Sequence, residues 1–332
     1  MIKSVFVTIG TIIGAGFASG QEIYSFFCVY EENGLIGLII SNILLGIIMY
    51  AVLKKSNNIK LKSYSELLEN KNIPKVIIGI INIIVNIFLL ISFYIMVAGF
   101  SAYFQQEYNV PKLIVAIVIL LICYFTFMKD IEGIAKINSI IIPILITIVI
   151  LIGIKADVLE NAKNVEVSNI NFSINWCIKS IEYASYNSIL LIPILISISK
   201  YVENKEKQVS IIVTSIMTII SLIIFFIMFK RPDISLTELP LVYIASGFGK
   251  IFKYFYGIVI IFAIYSTMIS AGYGFLQNCS TRKNTYKVLA MSMCISAIFT
   301  IFFSFAGLVN LTYPVFGILG ILQFLIIRKQ TI

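Results

Sequence analysis

The chain has no histidine, and only 12% of its 332 residues are charged. The first absence removes the commonest proton shuttle and metal ligand together. The second leaves about half the charge of an ordinary soluble domain, too little to cover a water-facing surface of normal size. Paired catalytic carboxylates on neighbouring helical turns are also missing, which argues against a membrane enzyme. Cysteine is sparse. Cys28, Cys123, Cys177, Cys279 and Cys294 stand apart, mostly inside apolar runs and with no C-x-x-C. They read as small buried residues, neither a metal site nor a disulfide framework.

What is abundant is apolar: 59% of residues are hydrophobic and the mean hydropathy is +0.99. A membrane span needs about 20 mostly apolar residues. Ten segments qualify, at about 5–29, 34–54, 75–103, 111–128, 137–155, 174–199, 209–229, 248–276, 285–305 and 308–328. The polar spacers at 54–75 and 155–175 cannot sit in lipid. The expected fold class is therefore all-α, a polytopic membrane protein of about ten transmembrane helices. The first segment could pass for a signal peptide, with one basic residue, an apolar stretch and then small residues. Residues 21–30 continue apolar and aromatic, however, so it is treated as the first span.

The net charge of +9 raises nucleic acid as a partner, but the charges lie in short gaps between apolar runs. Lys and Arg concentrate on cytoplasmic loops of membrane proteins. With the N-terminus placed in the cytoplasm and the spans alternating, 17 of the 25 basic residues fall inside. The gap at 156–173 carries Asp157, Glu160 and Glu166 against Lys163 alone, which suits an outer loop. The expectation is a multi-pass protein of the bacterial cell membrane with both termini cytoplasmic, bilayer lipid around it and no nucleic acid bound.

The chain also repeats itself. Phe17-Ala18-Ser19-Gly20-Gln21-Glu22-Ile23 in the first span returns as Tyr183-Ala184-Ser185-Tyr186-Asn187-Ser188-Ile189 in the sixth, 166 residues later. Five spans separate the two, so the copies point in opposite directions. This is the signature of a five-plus-five inverted repeat, with repeat one at about 1–155 and repeat two at about 174–332.

Gly10, Gly14, Gly16 and Gly20 crowd the first span. They fit close helix packing, since Gly10/Gly14 and Gly16/Gly20 are small-x-x-x-small pairs. They equally fit a broken helix, because Gly costs about 1 kcal/mol relative to Ala in a helix. Unwound backbone at membrane depth is tolerated only where it lines a cavity. The matching small, polar stretch 184–188 extends the broken-helix expectation to the sixth span. Glu22 and Glu182 lie inside spans, where a charge costs at least about 2.5–3.5 kcal/mol, so each should face a cavity or a partner. Lys179 stands one turn before Glu182 and could neutralise it, leaving a structural ion pair as the alternative to a substrate or proton role. In the eighth span, the hydroxyls of Ser266 and Thr267 either bond their own backbone or supply oxygen ligands to a hard cation.

Gly10-Thr11-Ile12-Ile13-Gly14-Ala15-Gly16-Phe17-Ala18-Ser19-Gly20-Gln21-Glu22 resembles the opening signature of the bacterial YkvI-like membrane proteins, an uncharacterised family. More distantly, Gly14-Ala15-Gly16 is similar to the G-x-G of amino acid–polyamine–organocation transporters with the leucine-transporter fold. That resemblance implies broken first and sixth helices holding a small substrate, an amino acid or amine, at midplane. Gly14, Ala15, Gly16, Phe17, Ser19, Tyr183, Ser185 and Asn187 are then the expected substrate-binding residues, and Glu22, for which the resemblance implies no role, joins them as the acid beside the glycine-rich break. The amides of Ala15, Gly16 and Phe17 would receive a substrate carboxylate. The resemblance also implies sodium as coupling ion, held by the carbonyls of Gly10 and Ile13 and by the pattern Ala263, Ser266, Thr267. No other cofactor is expected, and nothing fixes the oligomeric state. The function so implied is cation-coupled symport of an amino acid or similar zwitterion or amine by alternating access. The rival is a membrane sensor or assembly factor that keeps a transporter fold without transporting.

Overall fold

The computed structural model describes residues 1–61, 75–128, 132–163, 174–235, 237–280 and 283–329. Much of the spacer at 54–75 and of the gap at 156–173 lies outside them. The described residues form helices and no strand. In order they are α1 (Ile2–Ile12), α2 (Ala15–Ala18), α3 (Gln21–Phe26), α4 (Glu31–Ile59), α5 (Lys75–Tyr108), α6 (Lys112–Phe127), α7 (Glu132–Lys155), α8 (Val158–Lys163), α9 (Ile174–Ile198), α10 (Glu206–Met228), α11 (Pro240–Gly247), α12 (Lys250–Cys279), α13 (Lys283–Ala297) and α14 (Phe305–Lys329). Backbone groups in lipid have no water to bond, so an apolar chain without strand partners satisfies them within helices. Six helical stretches, which include α4, α5, α9, α10, α12 and α13, are long and apolar enough to cross a membrane. α1, α6, and parts of α7 and α14 are shorter apolar helices.

The outer face of the bundle is unlike that of a soluble protein. Ile154, Val288, Phe302 and Leu311 are each about two-thirds exposed or more. In water such a belt would drive association; against acyl chains it is the ordinary surface. The polar residues turn inward instead, and Ser41, Asn42, Ser101, Ser188 and Glu22 are buried.

The first span is broken twice. Ile13 leaves the helix at ψ 80°, and Gly14 is extended at φ −87°, ψ −173°. The Gly14 amide turns to the Ile12 carbonyl at 2.9 Å, so the Gly10 carbonyl loses its α-helical donor. One turn of helix follows over Ala15–Ala18, so the stretch at 14–19 is not unwound throughout. Gly20 then takes φ +81°, a left-handed conformation that favours glycine.

The sixth span corrects the sequence expectation. α9 is continuous through 184–188, so of these two spans the first is broken and the sixth is not. Two features explain the continuity. The polar groups satisfy themselves within the helix: Asn187 Nδ2 donates to the Tyr183 carbonyl at 3.0 Å and Ser188 Oγ to the Ser185 carbonyl at 2.6 Å. The small residues serve close packing against α14. A Cβ on Gly317 would stand 2.7 Å from the Glu182 carbonyl oxygen, and one on Gly320 would stand 2.6 Å from the Ser185 carbonyl carbon. The stretch is a helix-packing face, the alternative that small residues always carry in membranes.

Candidate functional site

α1, α5, α9, α12 and α14 surround a cavity of about 740 Å³, within the size range of small-molecule sites. Its closed end is formed by Glu22, 3% exposed, with Tyr186 and Tyr313. From there the wall passes Gly14, Thr267 and Asn187 to Asn82, Ser270 and Asn278, which are exposed. At the mouth Asn278 Nδ2 donates to Asn86 Oδ1 at 2.9 Å. The mouth therefore lies where α1 and α5 begin and α9 and α12 end, on the side of Met1.

The other side is sealed. Phe26 stacks on Tyr186 at 5.7 Å between centroids, and Tyr186 lies 4.7 Å from Tyr313. Gln21 Nε2 donates to Ser25 Oγ at 3.0 Å, and Ser25 donates on to Asn310 Oδ1 at 2.5 Å. α11, which begins at Pro240 with the φ that a first helical turn requires, caps the second break. Its Leu241 amide donates to the Ser19 carbonyl at 2.9 Å, and Tyr256 donates its hydroxyl to the Ala18 carbonyl.

Glu22 is placed by glycine. Its side chain folds back over α2, and a Cβ on Gly16 would lie 2.7 Å from Glu22 Cγ and 2.8 Å from Cδ. Its carboxylate accepts the Tyr186 hydroxyl, and the Phe17 amide faces it as a second donor. That amide belongs to the first turn of α2 and has no partner within the helix. One of the three backbone amides that the resemblance offered to a substrate carboxylate thus faces the chain's own glutamate.

The other expected residues divide. Gly10, Gly14, Glu22, Asn187 and Thr267 line the cavity; Ala15, Gly16, Phe17, Ser19, Tyr183 and Ser185 do not, and are buried behind it. Ser19 turns its hydroxyl onto the Gly16 carbonyl at 3.0 Å. Tyr183 packs edge-on against Phe26 and Phe27. For the expected cation site, Ser266 Oγ and Thr267 Oγ1 both donate to the Ala263 carbonyl, at 3.1 and 2.9 Å. Each hydroxyl keeps lone pairs that can accept or ligate. Thr267 faces the first break, since a Cβ on Gly14 would lie 3.7 Å from its methyl and 3.8 Å from its hydroxyl. Ile13, Ala263 and Ser266 are buried beside the cavity without lining it. Among the described residues, no group of three or more Cys, Asp and Glu side chains could hold a metal.

The ion pair Lys179–Glu182 is present at 2.7 Å, with the ammonium also over the Phe26 ring. Sequence reasoning missed Asn82, Asn86 and Ser92 on α5, and Tyr313 on α14. Asn82 and Asn86 are one turn apart within an apolar span, a polar stripe that itself marks a cavity or partner. Tyr313 offered no such signal, because an aromatic in an apolar span is ordinary.

No protein-family model matches the chain. It is similar to two proteins of Bacillus subtilis (strain 168), the uncharacterised membrane protein YkvI and the uncharacterised protein YyaD. YkvI is 23% identical over 318 residues, covering 94% of this chain and 90% of YkvI. YyaD is 26% identical over 327 residues, covering 96% and 94%. Among solved structures, a mutant of the manganese transporter of Eremococcus coleocola matches with a TM-score of 0.69 at 12% identity, over 96% of this chain and 76% of that one. A substrate-bound, outward-open Na⁺-coupled sialic acid symporter matches with a TM-score of 0.61 at 15% identity, over 96% and 78%. The fold is thus similar to that of these two membrane transporters.

Proposed function

We propose that the protein is a secondary transporter that moves a small amine or zwitterion across the cell membrane by alternating access, driven by a coupling cation. One observation carries this reading: a sizeable cavity at a broken helix, reachable from one side and sealed from the other by side chains that two helix breaks position. A cavity of that kind is what a carrier presents in one half of its cycle. With Met1 read as cytoplasmic from the bias of basic residues, the conformation proposed is inward-open. Gly10, Gly14, Glu22, Asn187 and Thr267 are the residues assigned to the substrate and ion path. The coupling ion proposed is sodium, ligated by the Gly10 carbonyl and the Thr267 hydroxyl across the first break; Glu22 is the alternative carrier, of a proton.

Counterflow in proteoliposomes tests the reading. Liposomes preloaded with an unlabelled amine or amino acid should accumulate the labelled form through exchange, faster with sodium than with choline. Thr267→Ala should remove most of the sodium stimulation while leaving protein abundance unchanged. A protein that binds a compound and never exchanges it is a sensor on a transporter fold. That outcome, obtained across the panel, would end the transport reading.

A further inference from the structure

We infer that the substrate is a monoamine with an apolar body and no carboxylate, its ammonium held by Glu22. The inference deepens the proposed function and rests on the same cavity. The closed end carries one carboxylate, and no lysine or arginine is among the described residues of the lining. A buried carboxylate without a cationic partner is costly and either takes up a proton or gains a positive partner, and an ammonium entering the cavity would be such a partner. Glu22 has two protein donors, Tyr186 and Phe17. An ionised carboxylate accepts about four hydrogen bonds, which leaves room for an ammonium. Tyr186 and Tyr313 border the same end, and a cation within about 6 Å of an aromatic ring is drawn to it.

Charge accounting then narrows the ligand. A zwitterion would bring its own carboxylate next to Glu22, with no basic side chain in the lining to receive it. The amides of Ala15, Gly16 and Phe17 that could serve instead belong to residues behind the cavity wall, and that of Phe17 faces Glu22. A diamine would strand its second ammonium, because the remaining polar lining consists of neutral amides and hydroxyls such as Asn86, Ser92 and Asn187. Val85, Phe88, Leu89, Met96, Ile189 and Leu190 give the wall an apolar stretch, which suits a hydrocarbon body. A divalent metal would find a single carboxylate among the described lining residues to balance its two charges.

The test compares matched probes on the full-length purified protein. Phenethylamine, phenylalanine, cadaverine and manganese(II) chloride are each titrated by thermal shift, and each organic probe is also offered in counterflow. Phenethylamine should stabilise the protein at concentrations at least about tenfold below phenylalanine or cadaverine, the ratio expected for one charge-assisted hydrogen bond. Glu22→Gln keeps the shape, so it should fold and lose that preference; Tyr313→Leu should weaken phenethylamine and spare the rank order. Equal or tighter binding of phenylalanine, of cadaverine or of manganese overturns the inference, and so does undiminished phenethylamine binding in Glu22→Gln. The wild-type ranking decides the question even if a variant fails to fold. Selective binding without exchange leaves this inference standing and removes transport. Exchange of phenylalanine does the reverse.

Discussion

Glu22 shows how much one side chain can depend on one missing Cβ. Its carboxyl reaches the Phe17 amide and the Tyr186 hydroxyl only because Gly16 offers no obstruction. Gly16→Ala places a methyl where Glu22 Cγ and Cδ lie, and overpacking of this kind costs about 1–3 kcal/mol. Thermal unfolding in detergent should show that loss, and any ligand held by Glu22 should weaken with it. Gly14→Ala is the control two residues away. Its Cβ would meet Thr267 at an ordinary 3.7 Å, and its backbone at φ −87° suits any residue. Stability should change by less than about 1 kcal/mol. Equal losses in both variants would show that the glycines matter for backbone freedom alone.

Elements differ in why they hold small residues. The first span breaks because its glycines leave the backbone free and α11 and Tyr256 collect the carbonyls released at the second break. α9 carries the same motif at half-chain distance and stays helical, because Gly317 and Gly320 bring α14 against its backbone. An unwound α9 would have nothing flat for α14 to meet. Gly320→Ala should therefore push α14 from α9 and lower stability by about 1–3 kcal/mol. Ser188→Ala removes only a hydrogen bond to the helix's own Ser185 carbonyl and should cost less than about 1 kcal/mol. A severe effect of Ser188→Ala with a silent Gly320→Ala would reverse the explanation and restore a break at 184–188.

For the whole molecule the question is which way the cavity faces. Cys279 is exposed at the end of α12, one residue from Asn278 at the mouth, whereas Cys28, Cys123 and Cys294 are buried. An impermeant maleimide should modify Cys279 in inverted membrane vesicles and not in intact cells. A Cys279→Ser variant provides the blank, which also accounts for the half-buried Cys177 near the start of α9. Labelling from the outside would invert the orientation derived from the lysine and arginine bias. The cavity would then be outward-open.

Some of this was decided by the sequence alone. A lipid environment follows from composition, because 12% charge cannot clothe a surface in water and ten apolar segments can clothe one in lipid. The first break was legible because glycine's preference is local, and the Lys179–Glu182 pair because three residues make one helical turn. Tertiary structure decided the rest. Whether Ala184, Ser185 and Ser188 unwind or pack depends on Gly317 and Gly320, which lie in a distant part of the chain, and no local propensity records that surface. The same holds for the site. Glu22 was recognisable as an acid in a span, but its hold on Phe17 and its place beside Tyr186 and Tyr313 exist only once α3, α9 and α14 converge. Sequence fixes which groups are costly to bury; the packing of distant helices fixes what each of them meets.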